Sequence, residues 1–344
     1  MTKADSLQGS GAVGVADPAR TIKVQFTNNP RIRPLIDGRV KVPGVTFDWD
    51  LTGSANFVFS HVNESKFDLF EYSIAGYVVA QQSGVAERLG WTALPVFLSR
   101  PFGMFIGGFV VPEGSAIKGL GDLRGSRLGI PEYRMTAGVW LRIMLRELYG
   151  IASSEIKWVN DRPMGSSYMA NLGALDTLPP GEQVEDRPEG TDLIALVRDH
   201  ELDSACTMAR ETPGVRPLLD EQATEEILIE LKRKINATPA NHLIVVKKSV
   251  LQDRPQLARE LYDAFEESKQ TAYRDARTAA AGYLYFPGQA FARQAARLGA
   301  DPYPSGLTAN RATLTALVDQ VVADRQVATR PTLEKLFAPG MDQT

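Results

Sequence analysis

The chain has 344 residues, more than a single hydrophobic core usually organises, so we expect two lobes. Its hydrophobic fraction of 44% and charged fraction of 23% are those of an ordinary globular protein, and 38 basic against 41 acidic residues give a net charge of −3. The sequence has no Lys/Arg-rich run, which argues against a nucleic-acid partner, and no stretch approaches the ~20 apolar residues of a membrane span.

The first twenty residues lack the apolar core of a secretory signal, so we expect residues 1–20 to form a disordered leader of a cytoplasmic protein. Residues 9–14 match the GxGxxG pattern of dinucleotide-binding proteins. We reject that match because the first predicted strand follows the glycines instead of preceding them. The single cysteine, Cys206, excludes an internal disulfide and a cysteine-rich metal site.

After the leader, strand-like and helix-like segments alternate, which is typical of a largely parallel sheet covered by helices. The predicted strands span 21–27, 45–51, 69–73, 93–98, 104–111, 127–130, 156–159, 203–207 and 242–247. The predicted helices span 55–64, 75–83, 137–149, 193–199, 254–280, 289–298 and 309–323. Residues 161–191, rich in Pro and Gly, are predicted to be irregular.

Two chain crossovers, near 111–118 and 225–242, predict a two-lobed clamp with a ligand in its cleft. Lobe I would consist of residues 21–114 together with 243–344, and lobe II of residues 115–242. The helical block that follows the last strand could support a homodimer.

Polar side chains follow two of the apolar strands. Asp68, Glu71 and Ser73 lie in or beside the strand at 69–73, and Arg100 follows the strand at 93–98. In open α/β folds, ligands bind beyond the carboxyl ends of the strands, so this cluster predicts a site for a small anionic molecule. Glu71 lies in an enclosed segment and must be paired or have a raised pKa; a structural salt bridge would also explain it.

The chain has three histidines, of which His242 is the candidate for chemistry. It lies between a Pro-marked turn and an apolar strand, where an imidazole could donate or accept a proton, or could serve only a structural hinge. His61 and His200 are predicted to be a mid-helix residue and a helix-end residue. No pair of histidines has metal-binding spacing, although a metal site assembled from distant residues stays open.

Arginines supply the candidate anion-binding groups. Arg100 should lie at the sheet edge, and Arg134 precedes a helix whose first N–H groups, around Thr136, could receive a carboxylate. Arg142 is better explained by a surface ion pair, and Arg210 is a weaker candidate.

Four segments together resemble the 4,5-dihydroxyphthalate decarboxylase family, over about residues 22–337. They are 67–77 (FDLFEYSIAGY), 95–100 (PVFLSR), 129–140 (GIPEYRMTAGVW) and the Asn241-His242 pair. The resemblance implies an α/β, two-lobed fold of the type II periplasmic-binding-protein kind. Each lobe would then be a mixed, mostly parallel sheet covered by helices, with the ligand cleft between the lobes.

The family removes one carboxylate from a dihydroxylated aromatic dicarboxylate, 4,5-dihydroxyphthalate, and produces protocatechuate. The resemblance therefore implies a small aromatic carboxylate as the partner and no organic cofactor, with a divalent metal left open. His242 would be the general acid, and Glu71 would orient it or hold a ring hydroxyl. The substrate-binding residues would be Arg100, Arg134, Ser73, Tyr133, Thr136 and Trp140, of which Trp140 is equally well explained by helix packing.

Three other functions stay open. The same fold serves non-catalytic solute-binding proteins for aromatic or carboxylate ligands, and fold alone does not separate binder from enzyme. A thiamine-pyrimidine precursor synthase is disfavoured by the single cysteine. A ligand-sensing domain is disfavoured because no DNA-binding helix pair is evident.

Overall fold

The computed structural model describes residues 20–51, 66–98, 107–175, 177–206 and 212–344. The predicted helix at 55–64, with His61, lies outside the described residues. Arg100 and Arg210 lie outside them as well.

The first of two sheets is built from the N-terminal part of the chain and one later strand. Its strands are β1 (Arg20–Gln25), β2 (Val45–Asp50), β3 (Leu69–Ser73), β4 (Trp91–Phe97) and, from far along the chain, β11 (His242–Lys247). Their order is β2-β1-β3-β11-β4. β1 is parallel to β2 and β3, whereas β11 is antiparallel to both β3 and β4. β3, in the middle of this order, and β4, at its end, are both buried along their whole length, which explains their nearly continuous apolar sequences.

The second sheet is built from the middle of the chain. Its strands are β5 (Phe109–Pro112), β6 (Arg127–Ile130), β7 (Lys157–Asn160), β8 (Gln183–Asp186), β9 (Ser204–Cys206) and β10 (Val215–Pro217). Their order is β10-β5-β9-β6-β7-β8. β6 to β9 pair in parallel, while β5 is antiparallel to β9 and β10. Both sheets are therefore mixed, and in the first sheet parallel and antiparallel pairings are equal in number.

Helices cover both sheets. The α-helices of the described ranges are α1 (Arg33–Ile36), α2 (Ile74–Gln82), α3 (Val85–Arg88), α4 (Thr136–Tyr149), α5 (Tyr168–Asn171), α6 (Leu193–Arg198), α7 (Glu221–Ile235), α8 (Lys248–Leu251), α9 (Leu257–Ala280), α10 (Pro287–Leu298) and α11 (Leu307–Ala323). None of them is long and apolar enough to cross a membrane. α4 ends at Gly150, whose φ of 65° is the left-handed conformation that favours glycine at a helix C-terminus.

The division between the sheets differs from the predicted division between the lobes. We predicted that lobe I extends to residue 114, but β5 pairs with β9 and β10 in the second sheet. The chain therefore passes from the first sheet to the second before Phe109. An apolar, fully buried strand such as β5 carries no local signal of which sheet it will join. The chain returns to the first sheet with β11, which begins at His242.

Two segments contain more regular structure than the sequence predicts. The interval 161–191 holds α5 and the edge strand β8, which is short and largely exposed, so its sequence lacks an apolar pattern. The predicted crossover near 225–242 contains most of α7, which spans Glu221–Ile235. That helix is capped by Asp220, whose side chain accepts from the backbone N–H of Ala223, and three basic residues lie in its last turn.

Candidate active site

One edge of the first sheet gathers the polar side chains of interest. The carboxyl ends of β1, β3 and β4 meet there, and β11, which is antiparallel to β3 and β4, begins at the same edge. This is the edge at which α/β folds bind ligands. The sequence analysis predicted a site for a small anionic molecule at this edge.

Glu71 and His242 form a hydrogen-bonded pair at this edge. Residues two apart on a strand share a face, so Glu71 and Ser73 point to the same side of β3. The register pairs His242 with Ser73, which places Glu71 diagonally across from the imidazole. His242 Nδ1 lies 2.6 Å from Glu71 Oε1; the Glu71 side chain is 2% exposed and the His242 side chain 25% exposed. The pair thus has a buried end and an open end.

Thr27, just past the end of β1, holds the second oxygen of the carboxylate. Its backbone N–H donates to Glu71 Oε2 at 3.1 Å and its hydroxyl donates to the same atom at 2.6 Å. Burial raises the pKa of Glu71, but the hydrogen bonds from His242 and Thr27 outweigh this effect and hold that pKa below its usual value. Glu71 is therefore an ionised acceptor, and Nδ1 of His242 must carry a hydrogen.

Neighbouring elements fix the backbone that presents His242. The indole Nε1 of Trp140 donates to the carbonyl of Ala240 at 2.9 Å, and the N–H of Ile74 donates to the carbonyl of Asn241, also at 2.9 Å. Trp140 is fully buried, so the structure gives it the packing role that the sequence left open. Through Ala240 it anchors the chain two residues before the imidazole.

Ser73 and Thr136 meet between the first sheet and α4. Their hydroxyl oxygens lie 2.8 Å apart, and the Thr136 hydroxyl also accepts from the N–H of Ala75 at 3.1 Å. Ser73 caps α2 by accepting from the N–H of Gly76. Both hydroxyls are buried, and the structure places them beside the strand ends that carry Glu71 and His242.

Arg31 is a cationic side chain at this edge that the sequence analysis missed. Its guanidinium carbon lies 3.7 Å from the centre of the Tyr303 ring, and its Nε donates to Asn29 Oδ1 at 3.3 Å. Asn29 in turn donates to the carbonyl of Leu98 at the end of β4. Burial lowers the pKa of Arg31, whereas its electrostatic interactions with Tyr303 and Glu71 raise it in part. The guanidinium is thus within electrostatic reach of the Glu71 carboxylate.

Two predicted substrate-binding residues, Arg134 and Tyr133, have described contacts with residues other than Glu71 and His242. The Arg134 side chain is 1% exposed, and it donates to the backbone carbonyl of Leu175. The hydroxyl of Tyr133 donates to Glu182 Oε2 at 3.1 Å, inside the second lobe. Burial raises the pKa of Tyr133 above the range of an ordinary phenol, so the hydroxyl is neutral.

Arg142 corrects a prediction. We expected a surface ion pair, but Arg142 and Asp324 form a buried pair whose side chains are 1% and 2% exposed, with Nη2 and Oδ2 2.6 Å apart. The guanidinium also donates to the carbonyl of Tyr133 at 2.8 Å, and Gln320 donates to the other carboxylate oxygen of Asp324 at 2.7 Å. This pair joins α4 to the end of α11 and takes no part in the site.

Within the described ranges, no group of three or more His, Cys, Asp or Glu side chains could hold a metal ion. His200 lies just past α6 in a left-handed conformation with φ of 61°, at the helix end where it was predicted. Cys206 is buried in β9, where desolvation raises the pKa of its thiol well above the usual value.

Comparison with known proteins identifies relatives of the chain. A protein of Comamonas testosteroni named 4,5-dihydroxyphthalate decarboxylase is 30% identical over 257 residues, which cover 73% of this chain and 75% of that protein. A protein of the same name from Pseudomonas putida is 31% identical over 183 residues, covering 53% of this chain and 68% of that protein. No protein-family model matches the chain.

Among solved structures, the periplasmic aliphatic sulphonate binding protein SsuA of Escherichia coli superposes with a TM-score of 0.52. The match covers 94% of this chain and 99% of SsuA at 14% sequence identity. The chain thus has the periplasmic-binding-protein-like fold. At this identity the likeness concerns the fold alone.

Proposed function

This chain belongs to the 4,5-dihydroxyphthalate decarboxylase family, and we propose that it removes one carboxylate from 4,5-dihydroxyphthalate, or a close aromatic acid, without oxidation. The observation that carries the proposal is the Glu71–His242 pair. A buried, ionised carboxylate holds one nitrogen of a partly exposed imidazole at the ligand-binding edge of the sheet.

The reaction replaces a carboxylate on an aromatic ring by a hydrogen. A proton adds to the ring carbon that bears the leaving carboxylate, and the hydroxyl para to it loses its proton and becomes a carbonyl. The bond to the carboxylate then breaks, CO2 leaves, and the released electron pair restores the aromatic ring as the carbonyl oxygen takes up a proton. One proton is consumed overall, so the protein must supply an acid.

His242 is the group we assign to this task. With Nδ1 held by Glu71, Nε2 is the ring nitrogen that would deliver the proton, and the ionised carboxylate stabilises the positive charge of the imidazolium. Thr27 fixes the other carboxylate oxygen, so the direction of the imidazole is set before the substrate binds. The arrangement is a proton donor backed by an orienting anion.

The carboxylate that stays on the ring needs a cationic partner. Arg31 and Arg100 are our candidates, because Arg31 lies at the same edge and Arg100 follows the end of β4 in the sequence. The family resemblance implies that Arg134 also binds the substrate, and we keep that role as a proposal. In the structure, its guanidinium donates to the carbonyl of Leu175. Ser73 and Thr136 supply hydroxyls beside the pair that could meet a ring hydroxyl.

The direct test is to incubate the purified protein with 4,5-dihydroxyphthalate, with and without a chelator, and to follow protocatechuate by chromatography. We expect product that carries one deuterium at the decarboxylated carbon when the reaction is run in D2O. Phthalate is the matched control: it has both carboxylates but no ring hydroxyl to accept the electrons, so it should bind without reacting. Product lost only with chelator would indicate a metal requirement, and tight binding without turnover would favour a solute-binding protein.

A further inference from the structure

The helical hairpin formed by α9 and α10 ends in an exposed aromatic segment. Residues 282–288 have the sequence Gly-Tyr-Leu-Tyr-Phe-Pro-Gly, and we call them the arm tip. Tyr283 is 87% exposed, Leu284 46%, Tyr285 93% and Phe286 63%. Within the described residues the other exposed large hydrophobic side chain is Leu175, at 39%. Within the described part of the chain, exposed large hydrophobic side chains are thus concentrated at the arm tip.

Within the described residues, α10, which leads away from the arm tip, is covered only in part: Arg297 Nε pairs with Glu225 of α7 at 3.3 Å, and the carbonyl of Leu298 accepts from Lys232 at 2.6 Å. None of its 12 residues is buried, although its sequence is amphipathic. An isolated helix of this length is marginal in water, because helices in proteins draw most of their stability from packing an apolar face. The exposed positions on its apolar side include Ala292, Ala295 and Ala296. Among the described residues, the arm tip and most of α10 therefore lack the packing partner that their apolar side chains favour.

The area and the charge of the arm tip fit a second copy of the same chain. Aromatic side chains bury ~150–250 Å² each, so the three exposed rings offer roughly 400–600 Å² per copy and roughly 800–1,200 Å² for two copies. With the exposed side of α10 added, this area reaches the lower end of stable interfaces, which bury about 1,200–2,000 Å² in total. Residues 282–288 carry no charged side chain, so two identical tips can meet without like-charge repulsion.

We propose that the arm tip is a homodimer interface in which two copies pack their tips, together with the exposed sides of α10, about a two-fold axis. A two-fold contact uses the same patch on both subunits, which suits a single self-complementary aromatic surface. The interface is separate from the candidate active site. Ser268, in the same helix α9, donates to the carbonyl of Arg31, and the tip begins about fifteen residues further on, roughly 20 Å along the helix axis. The proposal therefore does not rest on the proposed function.

The first test measures the mass of the protein in solution by sedimentation velocity from 1 to 100 µM. We expect the wild type at twice its chain mass of 37.6 kDa and the triple variant Tyr283→Ser/Tyr285→Ser/Phe286→Ser at the chain mass. Leu175→Ser is the matched control, since it removes an exposed large hydrophobic side chain elsewhere, and it should remain dimeric. A larger wild-type assembly would support the interface only if the triple variant halves its mass.

The second test asks whether the two tips touch. Cys206 is the only cysteine and is buried, so Tyr285→Cys introduces one reactive thiol at the centre of the tip. Mild oxidation should then link this variant into a covalent dimer, whereas Glu113→Cys, at an exposed turn beside the second sheet, should stay unlinked. A monomeric wild type, an unchanged mass for the triple variant, or equal cross-linking of the two cysteine variants would each overturn the proposal. A monomer that sediments with phosphatidylserine vesicles through its tip would assign the surface to lipid instead.

Discussion

Two pairs of side chains in this molecule place a buried carboxylate against a nitrogen donor, with different consequences. In the Arg142–Asp324 pair both side chains are buried, and the described neighbours Tyr133 and Gln320 complete the hydrogen bonds. In the Glu71–His242 pair the carboxylate is equally buried, but the imidazole is 25% exposed at the edge of the sheet. The first pair is closed on both sides, and the second is open on one.

The exposure of the partner side chain determines what each buried carboxylate can do. A carboxylate paired with a fully enclosed arginine can only hold elements together, because arginine stays protonated and nothing else reaches the pair. A carboxylate paired with a histidine that reaches the surface can orient a proton that another molecule takes up. The following variants separate the two uses.

Arg142→Met should give the largest loss of stability. It leaves the Asp324 carboxylate buried without its cation, which typically costs about 3–5 kcal/mol in the free energy of unfolding. Denaturant titration measures the loss, and the double variant Arg142→Met/Asp324→Leu should recover much of it. The folded fraction should keep its turnover number. A variant as stable as the wild type would show that the pair does not hold α4 to α11.

Glu71→Gln should affect activity more than stability. The amide keeps the size of the side chain but loses the charge that orients and stabilises the imidazolium; removing such carboxylate partners from histidines in metal sites costs about 10–100-fold. We expect kcat to fall by about this factor with a smaller change in KM. Asp324→Asn, at the closed pair, is the matched control and should lower stability while leaving kcat near that of the wild type.

Thr27→Val should have a smaller effect of the same kind. It removes the hydroxyl that donates to Glu71 at 2.6 Å but keeps the shape of the side chain and the backbone N–H. A hydrogen bond to a charged group contributes about 1.5 kcal/mol at the lower end of its range, so we expect that loss in stability and a several-fold fall in kcat. Thr27→Ser should restore both. If valine and serine behave alike, the hydroxyl does not position the pair.

The smallest expected effect is a pH dependence of stability. The pKa of Glu71 is lower in the folded protein than in the unfolded chain, so its stabilising contribution is complete above the unfolded pKa of about 4.3 and is lost as the pH falls through the folded pKa. The stability gap between the wild type and Glu71→Gln should therefore shrink on acidification below about pH 4. Urea titrations at several pH values measure the gap; one that widened in acid would contradict the ionised state of Glu71.

Local sequence patterns predicted most of the strands and the two residues of the pair. β3, β6 and β11 have the predicted bounds, because apolar runs bounded by turn residues carry a strong local signal. Glu71 and His242 stood out because a polar residue within or beside such a run is unusual. Glu71 and His242 are 171 residues apart in the sequence, and the pairing of β3 with β11 brings them together. Local patterns do not encode that pairing; the family resemblance suggested that the two residues act together.

The features that the sequence analysis missed or assigned wrongly also have physical explanations. Thr27 and Arg31 lie in the connection between β1 and α1, and only the folded chain brings that connection to Glu71. Arg142 was expected at a surface, although every residue from 136 to 145 in α4 is buried, and the dense apolar sequence around it could have signalled this. β5 was assigned to the first lobe because its apolar sequence fits either sheet.

The central claim is that His242, held by Glu71, delivers the proton, and His242→Gln tests it most directly. We would measure protocatechuate formation from 4,5-dihydroxyphthalate under saturating substrate, alongside substrate binding by calorimetry and the thermal unfolding midpoint. We expect turnover to fall about 10²–10⁴-fold, with binding and the unfolding midpoint close to those of the wild type. Turnover that stays within a few-fold of the wild type would show that His242 is not the acid.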